Sequence, residues 1–377
     1  MAKLRLGVIF GGRSGEHEVS LVSAASVMNA LDPSKYEIIP IGITKEGKWI
    51  ASDSALRYLR TGEESDKIFE ASFLPDPTKS GLNIFVPPLQ THQPLDVVFP
   101  VLHGSNGEDG AIQGLFELAN IPYVGAGVLG SALGMDKSIQ KEVFRARGLP
   151  VTKSMTIHRN EFETNKEAMC DRVSGELSFP CFVKPTNLGS SVGISKAKTI
   201  AELRSALELA FQFDRNVIIE AAVPKARELE CAVLGNRDAI ASIVGEVIPS
   251  KEYYDYFDKY ESGASKTIVP AEISDTISKK IREMSLVAFH AIGCEGMARV
   301  DFLLERDTEN LFLNEINTIP GFTSISMYPK LFEASGIPYP ELLDRLIALA
   351  LERHAEKKLL QTNYTPVQKW YASENKT

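Results

Sequence analysis

What most restricts the fold is a change of pattern near residue 150. Before it, apolar strand-length runs alternate with helical patterns; after it, strand runs follow one another closely. Leu4 to Phe10 is an apolar run ending in Gly11-Gly12, and a helical pattern from Glu18 to Leu31 is closed by Asp32-Pro33. Tyr36 to Ile43 and Leu95 to Val101 are further strands. Alternation of this kind gives an α/β layer with a parallel sheet. The stretch Asp53 to Pro94 is rich in Ser, Pro and Thr and reads as an irregular insert around that sheet. Asp136 to Arg147 is a helix stopped by Gly148, with Pro150 beyond it. The runs at 180–184, 216–220, 230–234 and 240–244 then predict a mostly antiparallel α+β module. A helix from Asp275 to Gly293, with Ile277, Ile281, Met284 and Val287 on one face, leads into a strand pair. The expected division is an N-terminal α/β domain (1–130), two lobes of one module (131–225 and 226–355, with a lid loop at 246–270) and a polar tail (356–377).

A chain of 377 residues, 44% hydrophobic, has room for two or three cores. Its net charge of −8 argues against nucleic acid or an anionic membrane as partner, since either needs a basic face. A phosphate site is not excluded, because it needs only a few local cations. Cys170, Cys181, Cys231 and Cys294 are far apart and form no CxxC pair, so free thiols in a reducing compartment are expected. The first apolar run is too short for a signal peptide and no later run could span a bilayer, which predicts a cytoplasmic protein.

The strongest chemical signal is Arg299-Val-Asp301-Phe-Leu-Leu, a polar turn, and Leu311-Phe-Leu-Asn-Glu315-Ile-Asn317. Residues two apart in a strand share a face, so Arg299 with Asp301, and Glu315 with Asn317, each project together. The short link from Glu305 to Asn310 makes the strands antiparallel neighbours. If the polar faces coincide, three oxygen ligands and a guanidinium meet, which suits magnesium beside a substrate phosphate. The alternative is a solvated sheet face, against which the apolar Ile316 argues.

Lys184-Pro-Thr-Asn-Leu-Gly189-Ser190-Ser191-Val-Gly193 delivers a lysine on a strand into a Gly/Ser loop. Such a loop can cradle phosphate with N–H groups and hydroxyls, or be a plain hairpin; it is not a Walker A loop, whose lysine follows the glycines. Lys137, opening a helix, is a second phosphate cation or a surface lysine. Gly125-Ala-Gly127-Val-Leu-Gly130 spells GxGxxG, but no carboxylate closes the next strand, so a structural turn is expected. Glu16 and Glu18, in the turn after the first strand, would repel phosphate and suit an ammonium. His103 ends another strand, where α/β sites open, although a lone histidine is more often structural. Residues 246–270, with Tyr253, Tyr254, Tyr256, Phe257 and Tyr260, show neither period and read as a lid that would exclude water.

Taken together, these residues resemble the D-alanine–D-alanine ligase family of the ATP-grasp superfamily. The resemblance lies in His103-Gly-x-x-Gly107-Glu108-Asp109-Gly110-x-Ile112-Gln113-Gly114 and in Arg299-x-Asp301 through Glu315-x-Asn317-Thr-x-Pro320-Gly321. Gly11 to Leu21, Met135-Asp136-Lys137, the Lys184 loop and Tyr254 through Tyr260 follow the family's order, so it spans about residues 4 to 350. It implies a parallel-sheet α/β domain followed by a two-lobed ATP-grasp module. The implied reaction is ligation of two D-alanines by ATP through a D-alanyl phosphate, releasing ADP and phosphate, for peptidoglycan precursors. Lys137, Lys184 and Ser191 would hold the phosphates, Lys259 the γ-phosphate, and Glu220 and Glu228 the adenine and ribose. Asp301, Glu315 and Asn317 would bind two magnesium ions, with manganese a substitute. Glu16 would take the first ammonium, with His103 beside it, and Ser326 the second carboxylate. Arg299 and the Gly321 N–H would stabilise the oxyanion, and Ser190, Tyr260 and Glu16 would form a hydrogen-bonded network. Homodimers are implied. Ala221-Ala222 departs from the lysine and aromatic that some members carry, which leaves the adenine contacts open. Two rivals remain: a D-alanine–D-lactate ligase, against which Tyr260 speaks, and a nucleotide-binding regulator without turnover, against which the full polar set speaks.

Overall fold

The computed structural model describes residues 2–63, 67–249, 265–323 and 325–365. The opening apolar run becomes strand β1 (Leu4–Gly11), buried from Leu6 onward as a strand covered on both faces should be. Helix α1 (His17–Ala30), β2 (Tyr36–Ile43), β3 (Trp49–Ala51), α2 (Ala55–Thr61), β4 (Phe69–Phe73), β5 (Gly81–Val86), β6 (Leu89–Pro94), β7 (Val97–Pro100) and α3 (Ala111–Leu118) follow. β1 pairs in parallel with β2 and β7. The stretch 53–94 is not an irregular insert. It supplies three antiparallel strands that extend the sheet to seven, in the order β6-β5-β4-β3-β2-β1-β7. These outer strands are half-exposed: β6 reads Leu-Gln-Thr-His-Gln-Pro, so the ladder holds it without an apolar alternation to betray it.

Two helices, α4 (Val128–Met135) and α5 (Lys137–Ala146), cross to the second part. The GxGxxG stretch is structural: Gly127 caps α4, and a Cβ at Gly130 would lie 2.9 Å from the Gly293 carbonyl oxygen. Next come β8 (Ser154–His158), α6 (Arg159–Thr164), α7 (Lys166–Glu176), β9 (Cys181–Pro185), β10 (Ser195–Ala197), α8 (Ile200–Ala210) and β11 (Asn216–Ala221). Their antiparallel sheet has the order β10-β9-β11-β8. The last part holds β12 (Ala226–Gly235), β13 (Ile240–Ile248), β14 (Lys266–Ile268), α9 (Asp275–Ala291), β15 (Gly296–Glu305), β16 (Leu311–Asn317), α10 (Met327–Ala334) and α11 (Tyr339–Lys358). Its sheet runs β14-β13-β12-β15-β16.

Two expectations need correction here. The ends of the 246–270 stretch are strand, since Glu246 to Ile248 pairs with β14; residues 250–264 lie outside the described ones. On α9 the buried line runs Ile277, Ile281, Met284, Ala288, while Val287 is exposed. At 100° per residue, position 288 returns to the face of 277 and position 287 does not.

One apolar core joins the first sheet to the last. Phe10 and Phe99 share it with Phe322, Tyr328 and Phe332, and Phe99 meets Phe322 edge-on at 5.6 Å. Arg353 on α11 fastens the same junction: it donates to the Tyr123 carbonyl at 2.8 Å and lies 4.3 Å over the Tyr123 ring. The packing brings the ends of β1 and β7 to the polar end of β15 and β16.

Candidate active site

The β15–β16 ladder sets Arg299 opposite Asn317 and Asp301 opposite Glu315, so the two polar faces coincide. Val300, Phe302, Leu304 and Ile316 are buried on the other side. Arg299 donates a fork to Asp301, Nε to Oδ1 at 2.7 Å and Nη2 to Oδ2 at 2.6 Å. Its Nε also lies 3.1 Å from Glu230 Oε2. Asn317 Nδ2 donates to Asp301 Oδ2 at 3.0 Å. Burial pulls the Arg299 guanidinium down, but the charges of Asp301 and Glu230 outweigh it and hold the group firmly protonated. The described residues contain no group of three or more His, Cys, Asp or Glu able to hold a metal. The donor set here is different, two carboxylates and an amide, and it fits a magnesium ion that takes its remaining ligands from phosphate and water.

Above this patch lies a cavity lined by Phe182, Lys184, Ser191, Glu220, Glu228 and Arg299, among others. Strand β9 delivers Lys184, and its Nζ lies 3.2 Å from Glu220 Oε2 on neighbouring β11. Burial pulls the Lys184 ammonium down, yet the Glu220 and Glu315 carboxylates more than offset it. Ser190 and Ser191 turn the loop with φ of 49° and 59° before β10 pairs back on β9, so the segment is also a hairpin. Asp136 caps α5 by accepting from the Ser138 and Ile139 N–H groups, each at 3.0 Å. That cap directs Lys137, which donates to the Leu188 carbonyl at 2.8 Å and lies 3.6 Å from Glu315.

A second cavity shares Arg299 and Glu230 with the first and reaches Glu16, His103, Gly321 and Ser326. Glu16 is nearly buried and held close by two glycines. A Cβ at Gly104, where φ is +74°, would stand 2.7 Å from Glu16 Oε2, and one at Gly189 would collide with the same oxygen. The Ser190 hydroxyl donates to Glu16 Oε1. Both ring nitrogens of buried His103 have protein partners. Nδ1 lies 3.2 Å from the Ile319 carbonyl and must donate to it, so Nε2 accepts from the Ser23 hydroxyl at 3.1 Å. Burial holds the ring below the usual histidine range, in its neutral form. Ser326 Oγ accepts from the Thr323 N–H at 3.0 Å, and a Cβ on Gly321 would lie 2.6 Å from it.

The expected site residues on described segments line these two joined cavities, except Lys137, which lines a smaller one beside them with Glu108, Glu315 and Asn317; Lys259 and Tyr260 lie outside the described residues. Three further residues belong to the same surroundings without having been singled out. Glu230 faces Asp301 across β12–β15, and its alternation with Glu228 was the available signal. Glu108, inside the His103 motif, accepts from the Gly104 N–H at 2.7 Å and walls both Glu16 and Lys137. Lys141 is one helical turn beyond Lys137, buried to 1% exposure against Glu220, and a lysine in an amphipathic helix gives no warning of that.

Comparison with known proteins shows the family to which the chain belongs. Residues 5–126 match the family described as D-ala D-ala ligase N-terminus and residues 143–348 its C-terminus. The chain is 49% identical over 368 residues to the D-alanine–D-alanine ligase of Heliobacterium modesticaldum, covering 97% of this chain and all of that one. The Thermoanaerobacter pseudethanolicus ligase is 50% identical over 358 residues, covering 95% and 99%. Among solved structures, the D-alanine–D-alanine ligase of Coxiella burnetii superposes with a TM-score of 0.82 at 38% identity, covering 95% and 97%. The VanG D-Ala:D-Ser ligase of Enterococcus faecalis gives 0.83 at 39%, covering 93% and 100%. With both halves matched in order and relatives spanning nearly the whole length, the chain belongs to the D-alanine–D-alanine ligase family and has the ATP-grasp fold.

Proposed function

We propose that the chain joins two D-alanines at the expense of ATP, through a D-alanyl phosphate, supplying a peptidoglycan precursor. The observation that carries this is the coincidence of Arg299, Asp301, Glu315 and Asn317 on one face at the junction of the two cavities. One cavity offers Lys184 for phosphates, with Lys137 beside it across Glu315, and the other offers a buried carboxylate for an ammonium, with the guanidinium between them.

Lys137 and Lys184 neutralise the phosphates, joined by Lys259, with Ser191 in the loop; Glu220 and Glu228 face the adenosine end. Asp301, Glu315 and Asn317 would hold two magnesium ions, which would supply charge neutralisation beside the phosphates. Glu16, fixed by Gly104, Gly189 and Ser190, takes the first ammonium, and His103 shapes that wall as a neutral ring. The first carboxylate oxygen attacks the γ-phosphorus and ADP leaves. The second D-alanine, held at its carboxylate by Ser326, attacks the acyl carbon through its amine, loses a proton, and phosphate departs. Arg299 and the Gly321 N–H stabilise the oxyanion formed on that carbon, as preorganised donors do. The resemblance assigns Tyr260 a role with Glu16 and Ser190, and the 246–270 segment the role of keeping water from the acyl phosphate. The enzyme works in the cytoplasm as a homodimer.

An assay for ADP release with D-alanine, L-alanine, D-serine and D-lactate tests the proposal. D-alanine alone should drive turnover, with dipeptide as product. Turnover that needs D-serine or D-lactate as second substrate would overturn the choice of acceptor. AMP and pyrophosphate as products would overturn the acyl-phosphate route.

A further inference from the structure

Behind the Lys184 cavity lies a cation that the reaction above does not use. Lys141 Nζ is fully enclosed, and its three hydrogens go to three separate segments: Thr152 Oγ1 at 3.3 Å, the Asn314 carbonyl at 3.2 Å and Glu220 Oε2 at 3.2 Å. Thr152 passes its own hydroxyl hydrogen to that same Glu220 oxygen at 3.3 Å. Lys184 reaches it as well, at 3.2 Å. Three donors thus converge on Oε2 of one buried carboxylate. A carboxylate rotates about its terminal bond unless its oxygens are unequally held, and here they are.

We infer that Lys141 is a positioning residue for base selection: by pinning Oε2 of Glu220 it leaves Oε1 as a fixed acceptor toward the cavity, which selects a 6-amino purine over a 6-oxo purine. An ionised carboxylate only accepts hydrogen bonds. An amino group donates to it, whereas an oxo group sets acceptor against acceptor in a site with little water. Sites built around a specific hydrogen bond reject the analogue lacking it far more strongly than apolar pockets reject a change of size. The selection needs the carboxylate held, because a free Glu220 could turn away or exchange oxygens. The inference rests on the proposal that this cavity takes ATP.

The test measures Kd for ATP and for ITP by calorimetry with magnesium and without D-alanine, then kcat and KM with each nucleotide. The variants are Lys141→Met, Lys141→Arg and Thr152→Val. The parent should prefer ATP by at least about tenfold, and Lys141→Met should erase most of that preference, with the change in KM for nucleotide rather than for D-alanine. Lys141→Arg, which keeps a charged donor, should retain part of it. Thr152→Val removes one donor without stranding a charge and should move the ratio the same way by less, which covers a Met variant that fails to fold. A simple loss of structure would weaken both nucleotides alike and leave their ratio unchanged. An unchanged ratio in folded Lys141→Met, or equal binding of the two by the parent, overturns the inference while leaving ligation intact. Selective ATP binding without ligation would instead overturn the proposed reaction.

Discussion

The two cavities that meet at Arg299 are built in opposite ways. The one holding Lys184, Glu220, Asp301 and Glu315 is made of side chains on strands, fixed by ion pairs within a strand (Arg299–Asp301) and between neighbouring strands (Lys184–Glu220). The one holding Glu16 is made of loop ends, where Gly104 and Gly189 let backbone crowd a single carboxylate. A strand site tolerates little change of charge, because each charged group balances another in a medium that screens poorly. A loop site tolerates little change of volume. The two should therefore fail differently, one in kcat and the other in substrate affinity.

The largest effect expected is at Glu315. Glu315→Gln keeps the shape of the strand but removes a charge from the face shared with Asp301. Turnover should fall at least about a hundredfold, the scale on which one strong electrostatic stabiliser acts. Steady-state kinetics at saturating magnesium measures it, and near-parental activity there would end the magnesium assignment.

Next comes Gly104→Ala, which sharpens the contrast from the loop side. The alanine must adopt φ +74°, where a side chain costs about 1–2 kcal/mol. Its Cβ must also displace both Ser14 and Glu16, whose oxygens would lie 2.6 and 2.7 Å from it. The KM for D-alanine should rise about tenfold, equivalent to about 1.4 kcal/mol, with the KM for ATP nearly unchanged. If the KM for ATP rises in step, the two cavities are not separable and the contrast fails.

The same contrast explains what was legible beforehand. Period-two alternation placed Arg299, Asp301, Glu315 and Asn317 correctly because a ladder turns spacing into position, leaving only the register to be found. No comparable rule joins Glu16 to residues 104, 189 and 190: these meet through tertiary packing, and resemblance to a family linked only Ser190 to Glu16 in advance. The strands at 69–94 went unread because their outer faces are wet, so hydrogen bonding rather than burial defines them. Lys141 was invisible for the converse reason. Burial of a lysine is decided by what packs on its helix, here Glu220 from a strand 79 positions away by number (220 less 141).

The smallest effect expected is a change of slope, and it asks whether the loop-built cavity carries its own hidden charge. Burial, and then the charge of Glu16, push the Glu108 carboxyl up to about 8. Glutamate in the unfolded chain ionises near 4.3. Between those values the folded protein keeps a proton that the unfolded chain has released, so this group's contribution to stability falls as pH rises. Below that window both states are protonated, and above it both are ionised and the loss is complete. Lys137 opposes the shift, and buried His103 contributes the reverse slope, because its depressed pKa makes the folded state release a proton. The parent's absolute profile therefore mixes signs, and the difference from Glu108→Gln isolates the carboxyl. Glutamine cannot ionise, so the variant should gain on the parent by roughly 2–4 °C in Tm between pH 5 and pH 8. Thermal melts across a buffer series measure it, and two profiles that stay parallel over that range would show that Glu108 is already ionised in the folded protein.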